Sequence, residues 1–522
     1  MNHSTFSILF PKKKTELQCI PPAFFEDLQL EAICKAIVSK YTDFDVQKFF
    51  YTLPGSTDTI PYRQNVYRDL ERNPSMAVAL KQYSNRLLQC ENCYQLHRQA
   101  EDKEQKGSYL LLACQHYLSA LELLQRTLAD ARLQSEGFLT LSRILKETMS
   151  APEFLAFRDE VYQAFSYMEQ MKLTLWLNDR EIRVTQEEPG ESETVIEKLK
   201  NYLIAFDIFA EEEWSGLDEE IHHLFPAPLQ TSPLENQIVE ILKKSSPQVF
   251  QTLRQFSDYE FSLENDMFLT FKNEILFYIS FLEFEKQLND AGFFLQYPVL
   301  RQTDGLELNG VYDIALAWKN RFSGTPVIPN DILYQRDKTF LVVTGPNQGG
   351  KTTLARAAGQ AVYFMLLGLK APCSSMNSRF FERILTHFEV EESVETGAGK
   401  LKEELQRLRP MMHLYAQNSF VILNELFTTA TTYDAQIMAH KVMSHFMQNQ
   451  CLGIYVTHIQ ELADENANEG VQSMVAQVDE TDSSVRTFKI IPATAKGLGY
   501  SDTIVKKYGL DYDQVTRRLE VL

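Results

Sequence analysis

Apolar residues recur at helical spacing through much of the first half of the chain. Over residues 110–124 they fall three or four positions apart, so that successive turns of a helix present them to the same side. A second series of this kind, rich in aromatic residues, covers residues 268–282. Gly107 and Gly137 are the only glycines between residues 56 and 189. The pattern predicts long helices, each with an apolar stripe that packs against another helix.

Shorter apolar runs predict strands. Residues 173–184 place β-branched and aromatic side chains around Asn178-Asp179, which is typical of a hairpin. After about residue 297, continuous apolar runs of four or five residues alternate with helical segments, and such runs suit parallel strands buried on both faces. They lie at residues 340–343, 420–423 and 452–456. The predicted fold class is α plus α/β, with a long-helix domain followed by a twisted, mostly parallel sheet.

Composition excludes several classes of protein. The chain has 522 residues, of which 44% are apolar and 23% charged, as in ordinary globular proteins. No apolar run reaches the roughly 20 residues that span a bilayer. The apolar stretch 6–10 precedes the lysines at 12–14, which reverses the order of a secretory signal. Seven cysteines are too sparse for a disulfide scaffold, so we expect a soluble, cytoplasmic protein.

Net charge argues against a uniform nucleic-acid-binding surface. Lys and Arg number 51 and Asp and Glu 70, which leaves a formal net charge of −19. Residues 187–220 alone hold twelve Asp or Glu, against Lys198 and Lys200. Affinity for nucleic acid comes largely from neutralised phosphates, so an acidic surface opposes it. A local basic groove could still bind DNA.

A phosphate-binding motif joins the strand run at residues 340–343 to a helical pattern. Residues 345–352 match G-x-x-x-x-G-K-[ST] between a strand and a helix, which is the context that confirms this motif. The glycines let backbone N–H groups face phosphates, Lys351 reaches the β- and γ-phosphates, and Thr352 can bind Mg²⁺. The predicted ATP site consists of Gly345, Pro346, Asn347, Gln348, Gly349, Gly350, Lys351, Thr352 and Thr353.

The other two strand runs end in polar pairs. Asn424-Glu425 follows residues 420–423, where P-loop enzymes usually place Asp-Glu. Glu425 fits the general base that activates water, whereas neutral Asn424 can hold a metal-bound water without supplying charge. His458 follows the strand at 452–456 and either senses the γ-phosphate or has a structural role. The candidate catalytic residues are Glu425 and His458, and the candidate Mg²⁺ ligands are Thr352 and Asn424.

These motifs together resemble those of the MutS DNA mismatch repair ATPases. The family's P-loop reads TGPN-x-GGK-[ST]-T, and residues 344–353 are similar to it, with the same unusual Pro-Asn. Further similar stretches are Tyr62–Val66, Val327–Asp331, Asn424–Asp434 and Thr457–Leu462. The resemblance implies an N-terminal extension over residues 1–54, a helical core/lever domain over 55–295 and an ABC-type ATPase domain over 296–522.

The resemblance also implies partners and differences. MutS ATPases dimerise so that each site receives the partner's signature segment, which implies a homodimer with Lys400 near the γ-phosphate in trans; a solvated helix start is the alternative for Lys400. Phe24-Phe25-Glu26 spells the family's mismatch-reading wedge without its surrounding domain. The acidic residues at about 173–250 indicate a reduced or altered DNA clamp. Val327 takes the place of the aromatic residue that stacks on adenine.

Three functions follow as hypotheses. The first is an ATP-dependent DNA-binding protein that couples hydrolysis to lever closure, in repair or recombination on branched or non-mismatched DNA. The second is an ATP-switched module whose levers grip a protein partner, which the acidic residues favour. The third is a regulator that binds ATP without hydrolysing it, which Asn424 keeps open.

Overall fold

The computed structural model describes most of the chain. The described residues are 6–12, 16–169, 173–178, 181–186, 233–264, 266–301, 305–388, 399–413, 418–479 and 485–494. The chain divides into two compact units. Unit 1 comprises Met1–Ala77, Ala131–Leu141 and Thr270–Leu522, and unit 2 comprises Val78–Asp130 and Ser142–Leu269. Within the described ranges, every helix is too short or too polar to cross a bilayer.

Unit 2 is built from the helices that the apolar periodicity predicts. Its core contains Leu110, Cys114 and Leu118 of one helix, packed with Val249 and Leu253 of another. The helices that lie wholly or partly in this unit are α5 (Pro74–Gln99), α6 (Lys103–Asp130), α7 (Glu136–Met149), α8 (Pro152–Glu169), α9 (Pro233–Ser245), α10 (Pro247–Phe256) and α11 (Met267–Asp290). The long helices expected over residues 110–124 and 268–282 are therefore confirmed.

The predicted hairpin is also confirmed in unit 2. Strands β1 (Leu173–Asn178) and β2 (Glu181–Gln186) are antiparallel, and Asn178 pairs with Glu181 across the turn. The whole acidic stretch at residues 187–220, and most of the altered clamp predicted at about 173–250, lie outside the described residues. Within the predicted clamp region, the structure describes the hairpin, α9 and the first part of α10.

Unit 1 contains a six-stranded sheet, and all three predicted strands lie at its centre. Each of these strands is buried along its whole length, since helices cover both faces. The order across the sheet is β12 (Arg486–Pro492), β11 (Val471–Val478), β6 (Phe340–Thr344), β10 (Leu452–Val456), β9 (Ser419–Asn424) and β8 (Arg383–His387). All neighbours are parallel except β11 and β12. The α plus α/β class is confirmed.

A smaller four-stranded sheet and the remaining helices complete unit 1. The small sheet has the order β3 (Val299–Leu300), β7 (Ser375–Ser378), β4 (Leu306–Val311) and β5 (Asn330–Leu333). The helices are α1 (Phe24–Asp27), α2 (Leu30–Val38), α3 (Gln47–Tyr51), α4 (Thr59–Arg72), α12 (Ile314–Asn320), α13 (Lys351–Leu366), α14 (Lys400–His413) and α15 (Thr432–Gln448). The domain bounds at residues 54 and 295 stay a prediction.

The N-terminal segment packs on α13, the helix that begins at the P-loop. The Phe25 ring meets Tyr363 edge to face at 5.4 Å between centroids. Gln360 Nε2 donates to the backbone oxygen of Leu28 at 3.0 Å. Phe24 and Phe25, which spell the wedge motif, are buried core residues in this fold.

Candidate nucleotide-binding site

Three polar segments leave the central sheet side by side. Strand β10 lies between β6 and β9 in parallel register, so that Val456 pairs with both Val343 and Asn424. The residues that follow each strand therefore emerge at the same edge, where ligands of open α/β sheets bind. The structure thus brings the P-loop, Asn424-Glu425 and Thr457-His458 together, as the sequence order of strands and motifs suggests.

The P-loop needs its glycines for both conformation and space. Gly345 has φ +125° and Gly350, which precedes α13, has φ +88°. A Cβ on Gly345 would lie 2.9 Å from Cβ of Ala476 on β11, and one on Gly349 would lie 3.0 Å from the same atom. A side chain at either position would collide with the neighbouring strand. The loop is therefore a tight backbone turn at the start of a helix, which suits an anion.

Lys351 is folded onto the P-loop. Its Nζ donates to the backbone oxygens of Gly345 at 3.0 Å and Pro346 at 3.1 Å. Burial lowers the pKa of Lys351, whereas the charge of Glu425 raises it and that of Arg486 lowers it further. The ammonium is thus held at the mouth of the loop, in reach of phosphates that the loop would cradle.

Two oxygen donors meet at the start of α13. The Thr352 hydroxyl donates to Oδ1 of Asn424 at 3.0 Å. Mg²⁺ prefers oxygen ligands and keeps several waters, so a hydroxyl beside an amide oxygen fits this ion, directly or through a bound water. The side chains of both predicted metal ligands are therefore in direct contact, although neither carries a negative charge.

Glu425 and His458 form a hydrogen-bonded pair. Nε2 of His458 lies 2.9 Å from Oε1 of Glu425. This hydrogen bond is the largest influence on Glu425 and lowers its pKa; burial opposes it, and the charges of His458 and Lys351 support it. The backbone N–H of Glu425 donates to the oxygen of Val456 at 2.9 Å, which joins the two strand ends. Glu425 is therefore a carboxylate at neutral pH and can accept a proton.

An apolar cavity of about 340 Å³ opens beside the P-loop. Its walls include Tyr312, Leu316 and Val327, together with Gly350 and Thr353 of the P-loop segment. Its size and lining suit the base and sugar of a nucleotide whose phosphates lie on the loop. Val327 is thus in the cavity, as the resemblance implies, and it has no aromatic face.

Phe488 supplies an aromatic ring to the same cavity, although no pattern in the sequence marks this residue. The residue lies on edge strand β12 and has φ +58°, which is unusual for a side chain of this size. Asn330 fixes the strand by donating to the oxygen of Phe488 at 3.0 Å and accepting from the N–H of Ile490 at 2.8 Å. Arg486, which no pattern marks either, donates to the oxygen of Asn347 at 3.2 Å. Neither residue belongs to a motif with a recognisable spacing.

The signature stretch is not brought to this site within the described residues. Residues 391–398 lie outside them, and Lys400 is the first residue of α14, with its side chain outside the described part. The role of Lys400 in a partner's site stays a prediction.

Comparison with known proteins identifies the family. The family model described as MutS domain V matches residues 341–516. DNA mismatch repair protein MSH7 of Arabidopsis thaliana is 33% identical over 150 residues, 27% of this chain and 14% of that protein. MutS of Fervidobacterium nodosum is 25% identical over 229 residues, which are 43% of this chain and 27% of that protein. The chain thus spans about a quarter or less of each relative. Residues 341–516, which include the P-loop, therefore form a domain of the MutS family.

Proposed function

We propose that the chain binds ATP with Mg²⁺ and hydrolyses it to ADP and phosphate. One observation carries the proposal: Lys351, the Thr352–Asn424 pair and the Glu425–His458 pair converge at one edge of the sheet. The P-loop would cradle the phosphates, and the cavity that contains Phe488 would receive the base and sugar.

Each side chain then has a defined role. Lys351 would contact the terminal phosphates, and Glu425 would take a proton from the attacking water. His458 would keep Glu425 ionised and oriented through their hydrogen bond. Mg²⁺ at Thr352 and Asn424 would neutralise phosphate charge, and its affinity would be weaker than at a site with an aspartate.

Two variants test the proposal. Lys351→Ala should lose most nucleotide binding, because the cation for the phosphates is gone. Glu425→Gln should bind ATP as the unchanged chain does but hydrolyse it about 100-fold more slowly, the usual scale for a general base. The matched control is Glu469→Gln, which removes an exposed carboxylate from the same unit. Equal turnover by Glu425→Gln and the unchanged chain would contradict the catalytic role.

We propose further that nucleotide binding is coupled to DNA through closure of a dimer. Support comes from the relatives, which are DNA mismatch repair proteins by name. The DNA would be branched or non-specific, since Phe24 and Phe25, which spell the mismatch-reading wedge, are buried in the core and do not face a duplex. Repair or recombination is the corresponding process.

A second candidate is an ATP-switched protein that binds a protein partner. Charge favours it: unit 2 holds 17 Lys or Arg and 31 Asp or Glu, and 17 − 31 = −14, so most of the net charge of −19 lies in the helical unit. This unit contains the helical levers that would contact DNA under the first proposal. Such a surface suits a basic protein better than a polyanion.

ATPase rates with DNA separate the two candidates. Rates are compared without DNA and with duplex, mismatched or branched DNA across a salt series. If DNA is the partner, stimulation appears at low salt and declines as salt rises, because released counterions drive the binding. If no DNA binds or stimulates at low salt, the DNA proposal is wrong and the protein partner is favoured.

A further inference from the structure

A buried carboxylate on α14 contacts the loop that carries Glu425. Glu404 lies in the second turn of α14 and is 2% exposed. Its Oε1 accepts a hydrogen bond from the backbone N–H of Phe427 at 3.1 Å. A buried backbone N–H is costly to leave without an acceptor, and the Glu404 oxygen supplies one. Glu404 thus fixes the backbone two residues beyond the general base.

That loop has a backbone conformation that needs support. Glu425 has φ +51° and Phe427 has φ +61°, both in the left-handed region that side chains disfavour. Such residues persist where their surroundings hold them, and they occur often at active sites. Here the N–H of Glu425 is held by Val456, and the N–H of Phe427 is held by Glu404. The two bonds bracket the strained segment.

Helix α14 offers a fixed position for this carboxylate. Leu408 of α14 packs in the same apolar cluster as Leu426 and Phe427 of the loop. Arg407, one turn along the helix from Glu404, donates to the backbone oxygen of Phe388 at 3.2 Å and lies 3.6 Å from a carboxylate oxygen of Asp27. The helix is therefore tied to the end of β8 and to the N-terminal segment as well as to the loop.

We propose that Glu404 is a positioning residue for ATP hydrolysis: it holds the loop so that the carboxylate of Glu425 faces His458 and the phosphate edge. The proposal rests on the hydrolytic role of Glu425 proposed above. The stretch that resembles the family's signature segment, residues 395–405, includes the start of α14 and Glu404, so the same hydrogen bond connects this stretch to the general base of its own chain. A misplacement of about 1 Å can cost a catalytic group about 100-fold in rate.

Substitutions of Glu404 test this role. Glu404→Met keeps the length of the side chain and the packing but has only a weak acceptor. It should lower kcat at least about 10-fold and leave KM and the Kd for ATP within about 2-fold. Glu404→Gln retains an amide oxygen for the Phe427 N–H and should keep kcat within about 3-fold of the unchanged chain. The control is Gln406→Ala, an exposed position on the same helix.

A double variant separates positioning from a general structural effect. In a chain that already carries Glu425→Gln, adding Glu404→Met should lower kcat no further, because residues that act as a unit are not additive. A further 10-fold loss, a parallel rise in KM, or an unchanged kcat in Glu404→Met alone would overturn the proposal. If Glu404→Met does not fold, Glu404→Ala is measured in its place. An unchanged kcat in Glu404→Ala would then overturn the proposal.

The outcomes also distinguish this proposal from the proposed function. Normal turnover by Glu425→Gln would overturn the hydrolytic role itself, and the positioning role with it. Slow turnover by Glu425→Gln together with normal turnover by Glu404→Met would overturn the positioning role alone.

Discussion

The pKa of Glu425 is lowered by a neighbour, His458, that arrives from another strand. The hydrogen bond from His458 lowers its pKa against the effect of burial. Burial alone would favour the neutral acid, which cannot accept a proton from water. At the scale of single residues, the site therefore depends on pairs of side chains, here Glu425 with His458 and Thr352 with Asn424.

Replacement of His458 should change the pH dependence of hydrolysis. A base with a lowered pKa stays ionised to more acidic pH, so activity is lost only as pH falls through that lowered value. His458→Ala removes the cause of the lowering, and the acidic limb of the kcat profile should move to higher pH. His458→Gln keeps a donor and should move it less. Profiles that coincide for all three chains would contradict the pair.

Replacement of Phe488 should weaken nucleotide binding without much effect on chemistry. The ring contributes an aromatic face to the cavity that would receive the base. Stacking on a base contributes about 1–3 kcal/mol, so Phe488→Ala should raise the Kd for ATP roughly 5- to 150-fold. Phe488→Tyr is the control, because it keeps the ring. Equal affinity of Phe488→Ala and the unchanged chain, measured by calorimetry, would exclude the cavity as the base site.

Among the elements, the contact between β6 and β10 sets how closely the P-loop and His458 approach each other. Gly453 pairs with Phe340 across these strands, and a Cβ at Gly453 would lie 2.3 Å from the Phe340 ring. The glycine thus lets a large ring fill the space above its backbone. At the other end of these strands, the Thr457 N–H donates to the Val343 oxygen at 3.1 Å, which holds the two strand ends together.

Gly453→Ala should therefore destabilise unit 1. Overpacking of a well-packed core costs about 1–3 kcal/mol, and the ring here lies between buried strands. Gly55→Ala is the control, since no atom lies within 4 Å of the Cβ it would add. The measurement is denaturant unfolding of both variants. If Gly453→Ala is as stable as Gly55→Ala, the packing of Phe340 on the glycine does not constrain the sheet.

At the scale of the whole molecule, charge and family point to different partners. The MutS domain favours DNA as the proposed partner, whereas unit 2 carries 17 − 31 = −14 of formal charge. Charge affects which surfaces associate and how salt changes that association, and it does not affect the nucleotide site directly. The ATPase proposal is therefore independent of the choice between a DNA and a protein partner.

ATP should convert the chain from monomer to dimer. The proposed dimer places nucleotide between two copies, so Glu425→Gln, which would bind ATP and hydrolyse it slowly, should accumulate as a dimer. Sedimentation with ATP should then show about twice the chain mass of 60.3 kDa. Lys351→Ala is the control and should stay monomeric, because it lacks the nucleotide. A monomer in every nucleotide state would contradict the proposed dimer.

Much of the fold and of the candidate site could be predicted because the signals are local. The helical spacing at residues 110–124, the buried runs of the three central strands and the spacing from Gly345 to Thr352 are all short patterns, and each appears in the structure where it was expected. Strand order then brings Glu425 and His458 to the P-loop.

Other residues became candidates only through tertiary contacts. Phe488 reaches the cavity because β12 pairs antiparallel with β11 and is held by Asn330, which lies 158 residues away from it in sequence. Glu404 reaches Phe427 because α14 packs against the sheet, and Phe24 and Phe25 are core residues because the N-terminal segment covers α13. The sequence by itself determined the P-loop motif, since that motif depends on residue type and short spacing. The tertiary structure decided which distant side chains support it, since no local pattern encodes a contact across the fold.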